Sequence, residues 1–310
     1  MERRGRTMKI DRRNLLKTSL GVTAAFGAVS YERQALMAQL VNRSDYGKVK
    51  EPVKGLQCGK LGKYEISRLI IGGNLISGSA HAGELLYQSA LMTHYFNTDK
   101  ILETWMLAEQ NGINTTLMRC DPHIIEHYRK FQRERGGKLQ WIAQSAPEQG
   151  DPAENAKRAR DSGAIGMYLH GGVSDGLVKK GKVDEIGRAV EGMRKAGLVA
   201  GIGAHMLETV RASHAAGLDP DFFMFTVNRV KYYASEPAEI AAFMKAIEKP
   251  WIGFKVLGAG RETPPDGFRH AFERGADFIA VGMFDWQVRD DAAHVQEMLA
   301  KGIARDRTWA

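Results

Sequence analysis

The sequence predicts a (β/α)8 barrel, and three observations carry that prediction. Eight short apolar runs recur along the chain: Ser67–Gly72, Gly112–Met118, Leu139–Ala143, Ile165–Leu169, Leu198–Ala204, Phe222–Val227, Trp251–Leu257 and Phe278–Met283. Runs of this length without polar alternation are the signature of strands buried on both faces, which belong to parallel sheets. Segments with helical spacing separate them, and eight such units in about 250 residues are the repeat of this barrel. A doubly wound open sheet would place a Gly-rich turn directly before a helix. Here Ile71-Gly72-Gly73-Asn74 opens instead onto a loop of about 23 residues containing Ser77-Gly78-Ser79-Ala80-His81. Loops of that length in compact domains are commonly functional.

The helical segments follow in order. Thr98-Asp99 supplies capping residues for Lys100–Gln110, and Gly112 follows its end. Val183–Lys195 has apolar residues at helical spacing, with Gly197 after it. Glu208–Ala216, closed by Gly217, and Pro237–Ile247 repeat the design. The boundaries expected are a leader over 1–30, a connector over 31–54, the barrel over 55–303 and a tail over 304–310.

In such a barrel the active site lies where strands run into helices. The residues at those ends are Asn74, then Arg119, Cys120, Asp121 and His123, then Gln144 and Ser145, His170, His205, Asn228 and Arg229, Lys255 ahead of Gly258-Ala259-Gly260, and Asp285 with Trp286. A single core histidine is usually structural, but His170 and His205 end adjacent strands. Imidazole titrates near working pH, which suits general acid–base chemistry. Lys255 invites a Schiff-base reading, although strand alternation turns it toward the helices if Phe254 faces the barrel centre.

The heptad Asp11-Arg12-Arg13-Asn14-Leu15-Leu16-Lys17, the weakly apolar stretch Thr18–Val29 and the small residues Ala28-Val29-Ser30 resemble a twin-arginine (Tat) signal peptide. That resemblance implies export in the folded state, with the Tat translocase as a transient partner and a periplasmic or extracellular destination. Residues 1–30 hold seven basic and two acidic side chains, so five of the eight net positive charges lie there. What remains is near neutral and mixed in sign, and no basic cluster interleaved with aromatics points to nucleic acid. No later apolar stretch is long enough to span a bilayer. Cys58 and Cys120 are too few for a disulfide framework and fall at opposite ends of the expected barrel.

From about Leu61 to Met298 the chain resembles the aldo/keto reductase superfamily of TIM barrels. The stretch Leu61-Gly62-Lys63-Tyr64-Glu65-Ile66-Ser67-Arg68-Leu69 is similar to that family's opening hairpin and first strand. Ala108-Glu109-Gln110-Asn111-Gly112-Ile113-Asn114 is similar to the turn before its second strand, and Met167-Tyr168-Leu169-His170 to a fourth strand ending in the catalytic histidine. Arg194 to Gly203, Leu257-Gly258-Ala259-Gly260 and Val281-Gly282-Met283 fit the fifth, seventh and eighth strands. The family's tetrad of Asp, Tyr, Lys and His is kept only at His170. The aspartate position falls near Leu117, the tyrosine near Pro122 or His123 with Tyr128 a turn too far, and the lysine at Gln144 or Ser145. Of the NADP contacts, Ala204-His205 stands where Ser-Asn is expected. Phe254 is placed to stack on a nicotinamide, Gly258 and Gly260 to approach the cofactor, and Arg289 to meet its adenosine phosphate.

The reading that follows is an exported barrel enzyme acting on a small carbonyl or sugar-like substrate by isomerase, epimerase or lyase-type chemistry. His170 is its centre, with His205, Arg119, Asp121 and His123 as further catalytic candidates and Asn74, Gln144, Asn228 and Trp286 as substrate-binding ones. A divalent metal on Cys120, His170 and His205 is a further possibility by residue type. The alternatives are an NADP-dependent oxidoreductase with tightly held cofactor and a non-catalytic solute-binding barrel.

Overall fold

The computed structural model describes residues 51–81 and 85–310. The signal-peptide reading of 1–30 and most of the 31–54 connector lie outside the described residues. Residues Pro52–Ala310 form one compact unit.

A hairpin opens this unit, β1 (Cys58–Leu61) pairing antiparallel with β2 (Tyr64–Ser67). Eight parallel strands follow: β3 (Leu69–Gly72), β4 (Thr115–Arg119), β5 (Gln140–Gln144), β6 (Gly166–Leu169), β7 (Val199–Ala204), β8 (Phe222–Thr226), β9 (Trp251–Phe254) and β10 (Phe278–Gly282). They close in sequence order, β10 returning to β3 with Val281 opposite Ile71. Each expected apolar run coincides with one strand, β4 and β5 each extending one residue past theirs. All five residues of β8 are buried, which is why no alternation shows in Phe222-Phe223-Met224-Phe225-Thr226.

The helices are α1 (Gln88–Tyr95), α2 (Thr98–Gln110), α3 (Pro122–Arg135), α4 (Pro152–Asp161), α5 (Gly171–Lys179), α6 (Val183–Lys195), α7 (Leu207–Ala215), α8 (Pro237–Met244), α9 (Pro264–Glu273) and α10 (Asp285–Ala300). Three details differ from the sequence reading. The long segment after β3 carries α1, and α2 is capped by Asn97, whose side chain accepts from Lys100 N–H at 3.0 Å. The third is at β9, which ends at Phe254 because Lys255 has φ of 54°, a left-handed conformation that terminates the strand.

Two apolar clusters hold the fold. The larger lies between strands and helices, and includes Trp105, Trp141, Trp251, Phe225 and Phe272. The smaller fills the barrel, with Ile70, Leu117, Ile142, Tyr168, Phe222, Met224, Ile252 and Phe278 pointing inward. Leu61 and Ile66 of the hairpin join that cluster and plug the barrel's lower end. The tail over 304–310 is tied to the barrel: Arg305, Arg307 and the Ala310 N–H all bond the buried carboxylate of Asp277, at 2.9–3.1 Å. Trp309 lies between Arg68 and Arg305, its ring centroid 4.0 Å and 3.3 Å from their guanidinium carbons. Among the described residues no helix is long and apolar enough to cross a membrane.

Candidate active site

A cavity of about 530 Å³ opens at the end of the barrel where strands run into helices. Its lining follows from the period of two along each strand. Leu117 faces inward on β4, so Arg119 does too; Ile142 leads to Gln144, and Tyr168 to His170. Asn74 comes from the segment after β3, and Phe254 from the end of β9.

His170 is the N-cap of α5, and its Nδ1 accepts a hydrogen bond from the Gly172 N–H at 3.2 Å. That bond requires an unprotonated Nδ1, so the neutral ring carries its proton on Nε2. Burial, then the neighbouring His205 and Arg119, pushes its pKa down to about 4. The positive end of α5 acts in the same direction. His170 is therefore a neutral N–H donor at ordinary pH.

His205 is held in the opposite way. Its Nδ1 lies 2.9 Å from Asp175 Oδ2, and its own N–H also donates to that carboxylate at 3.1 Å. Thr209 Oγ1 donates to the other oxygen at 2.7 Å. Burial raises the Asp175 pKa, but the hydrogen bonds from His205 and Thr209 outweigh it and hold the carboxyl below its usual value. An ionised Asp175 fixes the Nδ1–H tautomer of His205 and leaves Nε2 as a base. The His170 and His205 rings stand 6.4 Å apart, centroid to centroid. Gly171 makes this possible, since a Cβ there would meet His205 Cε1 at 2.9 Å.

Around the pair, Arg119 is gripped by Asp121 through two bonds of 2.7 and 3.1 Å and also pairs with Glu148. The Tyr168 hydroxyl donates to Gln144 Oε1 at 2.6 Å, and burial holds that phenol far above its usual pKa. Lys255 lines the cavity together with Phe254. The alternation that would send one of them to the helices fails because the backbone turns left-handed at Lys255.

Of the residues expected at the site, Arg119, Gln144, His170, His205, Asn74, Phe254 and Gly260 line the cavity. The others do not. Asp121 is buried behind Arg119, which it orients. His123 is exposed on α3 against His127. Asn228 is buried and clasps Tyr232, accepting from its N–H and donating to its carbonyl. Trp286 stacks outside on Phe284. Gly258 donates to the Lys255 carbonyl, and Arg289 pairs with Asp290. Cys120 turns into the strand–helix layer, its thiol 2.8 Å from Asn155 Oδ1 and its pKa raised by burial. It is thus not brought to the two histidines, and no group of three potential ligands is placed to hold a metal among the described residues. Cys58 and Cys120 are both free thiols.

Of the residues expected to hold a dinucleotide, Phe254 and Gly260 line the cavity, and Gly258 and Arg289 do not. The ring of Phe254, the surface for a nicotinamide, lies 5.3 Å from the ring of His205. Arg289 is engaged away from the cavity.

Solved structures resemble this architecture. A Pseudomonas aeruginosa protein assigned as an aldo-keto reductase matches with a TM-score of 0.57 at 15% identity, over 81% of this chain and 98% of its own. An aldo-keto reductase from a Medee basin deep-sea metagenome library matches at 0.49 and 10% identity, over 78% and 94%. An aldolase, QR15, matches at 0.45 and 13%, over 67% and 91%. No family model and no curated protein matches the chain. The protein is a (β/α)8 TIM barrel, similar in fold to that Pseudomonas aeruginosa protein.

Proposed function

We propose that this protein is an exported enzyme that moves a proton on the carbon beside the carbonyl of a small carbonyl or sugar-like substrate. The observation behind this reading is the opposed setting of the two cavity histidines. His205, oriented by Asp175, takes the proton at Nε2. The C–H electron pair moves into a C=C bond, and the carbonyl π pair moves to oxygen. His170, neutral and carrying Nε2–H, donates to that oxygen as charge develops there. A pair of groups whose surroundings drive their protonation apart is how a site divides base from acid. Arg119 and the Gln144 amide stand in the same cavity to meet substrate oxygens. Return of the proton to the same or a neighbouring carbon gives epimer or isomer, and expulsion of a β-substituent gives a lyase product. The export half of the reading rests on the twin-arginine heptad, the weakly apolar stretch behind it and the small residues Ala28-Val29-Ser30.

The test is solvent exchange. Small 2-hydroxy aldehydes and ketones are incubated with the protein in D2O, and loss of the C–H signal beside the carbonyl is followed by proton NMR. The wild-type protein is expected to exchange at least one of them. His205→Gln is expected to slow that exchange by about a thousandfold and His170→Ala by about a hundredfold, the range of positioned acid–base groups. Equal rates in wild type and His205→Gln would remove the base from the mechanism.

A further inference from the structure

One group in the cavity has no part in that proton transfer. Lys255 Nζ lies 3.1 Å from His81 Nε2, and His81 Nδ1 lies 3.1 Å from the Ser79 carbonyl. A carbonyl only accepts, so His81 carries its proton on Nδ1 and presents Nε2 as an acceptor to the lysine. The Tyr232 hydroxyl donates to the His81 carbonyl at 3.1 Å and steadies the segment. Nucleophile, base and orienting group are thus in series, the arrangement that activates a side chain for covalent catalysis.

Burial favours the neutral amine, against the attraction that the surrounding aromatic faces hold for the ammonium. Lys255 is half-buried and has no carboxylate partner among the described residues. Its neighbours are the rings of Tyr233, Tyr232 and Phe254, with centroids 4.9, 5.4 and 5.7 Å from Nζ. Burial pushes its pKa down to about 8. Its left-handed backbone is of the kind that costs energy and persists where the surroundings enforce it. Tyr233 is shared with the other half of the site, its ring 5.9 Å from that of His205.

We infer that Lys255 is a covalent nucleophile that captures the carbonyl carbon of the substrate as an imine, with His81 as the base that frees its amine. The inference rests on the reading that the cavity takes small carbonyl compounds, and it adds the electron sink. His81 Nε2 takes one ammonium proton, and the neutral Nζ attacks the carbonyl carbon, forming a C–N bond while the C=O π pair moves to oxygen. His170 donates to that oxygen. One proton passes from nitrogen to oxygen by way of the cavity histidines, and the proton held on His81 follows it, so that the oxygen carries two. The C–O bond then breaks, water leaves, and the nitrogen lone pair closes the C=N bond. Protonated, this iminium draws electrons from the neighbouring C–H bond more strongly than a carbonyl does, and His205 removes that proton.

The experiment is reductive trapping on the full chain. Glycolaldehyde or pyruvate is added with cyanoborohydride, which delivers hydride to an iminium carbon, and the labelled lysines are located by peptide mass mapping. At pH 7 a lysine near 8 has roughly a hundredfold more neutral amine than an ordinary exposed lysine. The Lys255 peptide is therefore expected to be labelled about a hundredfold faster than peptides carrying exposed lysines such as Lys195. His81→Gln is expected to slow labelling of Lys255 by about tenfold or more, and Lys255→Arg to abolish the dominant label. Labelling spread evenly over the surface lysines would overturn the inference, as would no label on Lys255. The wild-type map decides this whether or not a variant folds. Solvent exchange that persists without any Lys255 label defeats the covalent step alone, whereas loss of both defeats the carbonyl reading itself.

Discussion

Asp175→Asn is expected to lower the rate of substrate proton exchange by about a thousandfold while the barrel remains folded. Asp175 touches no substrate; it acts through His205. Its carboxylate accepts from His205 Nδ1 at 2.9 Å, from the His205 N–H at 3.1 Å and from Thr209 Oγ1 at 2.7 Å. An asparagine keeps the shape and one acceptor oxygen but loses the charge. Its amide NH2, turned to Nδ1, selects the tautomer with hydrogen on Nε2, and the base disappears. Loss of a positioned base costs about 10²–10⁴ in rate. The control is Thr209→Ala, which removes one donor to Asp175 and leaves the His205 tautomer unchanged; about tenfold or less is expected. The His205 tautomer separates the positioning role from a structural one. In the wild type the neutral ring is expected to carry hydrogen on Nδ1, facing the Asp175 carboxylate, and in Asp175→Asn on Nε2, read by nitrogen-15 NMR. An unchanged tautomer, or equal losses in the two variants, would contradict the assignment.

Asp277→Ala should produce the largest loss of stability, about 3–5 kcal/mol. Asp277 precedes β10 and is fully buried. One oxygen accepts from Arg305 and the Ala310 N–H, the other from Arg307 and the Trp251 N–H at 2.9 Å. Both guanidinium side chains are only 6% exposed. Removing the carboxylate leaves two buried cations facing each other and an unpaired N–H at the first residue of β9. Breaking such a pair costs more than its formation contributes, because the desolvated partner stays behind. The corresponding fall in Tm is on the order of 10 °C, read by calorimetry near neutral pH. A shift below about 2 °C would show that the C-terminal tail is not fastened in this way.

The difference between what was legible and what was not has a physical pattern. The eight strands show in the sequence because parallel strands bury both faces and read as apolar runs. Arg119, Gln144 and His170 show because each is the next inward residue beyond a strand, and strand alternation is a local rule. Asp175 does not show. It lies one turn into α5, where an acidic residue reads as part of a solvated face, and it meets His205 only because β6 and β7 are neighbours in the closed barrel. A carboxylate one turn after a strand-ending histidine is the signal that could have revealed it. Lys255 was hidden by the same alternation rule that revealed the others, since its positive φ breaks the rule at that residue. The partner of Lys255, His81, belongs to the long segment after β3, where sequence pattern carries no register. Asn228 and Cys120 are polar residues at strand ends, as a site requires, but each satisfies a loop or a helix instead.

The central claim is that surroundings set the two cavity histidines into opposite roles. Nitrogen-15 NMR of the imidazole rings across a pH titration reads this directly, because the shifts of Nδ1 and Nε2 report which nitrogen bears hydrogen. His170, whose pKa is pushed down to about 4, is expected to remain neutral with hydrogen on Nε2 as the pH is lowered through 6 and 5. His205 is expected to carry hydrogen on Nδ1 in its neutral form. A His170 that protonates near the ordinary histidine value of about 6.5, or a His205 with hydrogen on Nε2 in its neutral form, would contradict the account.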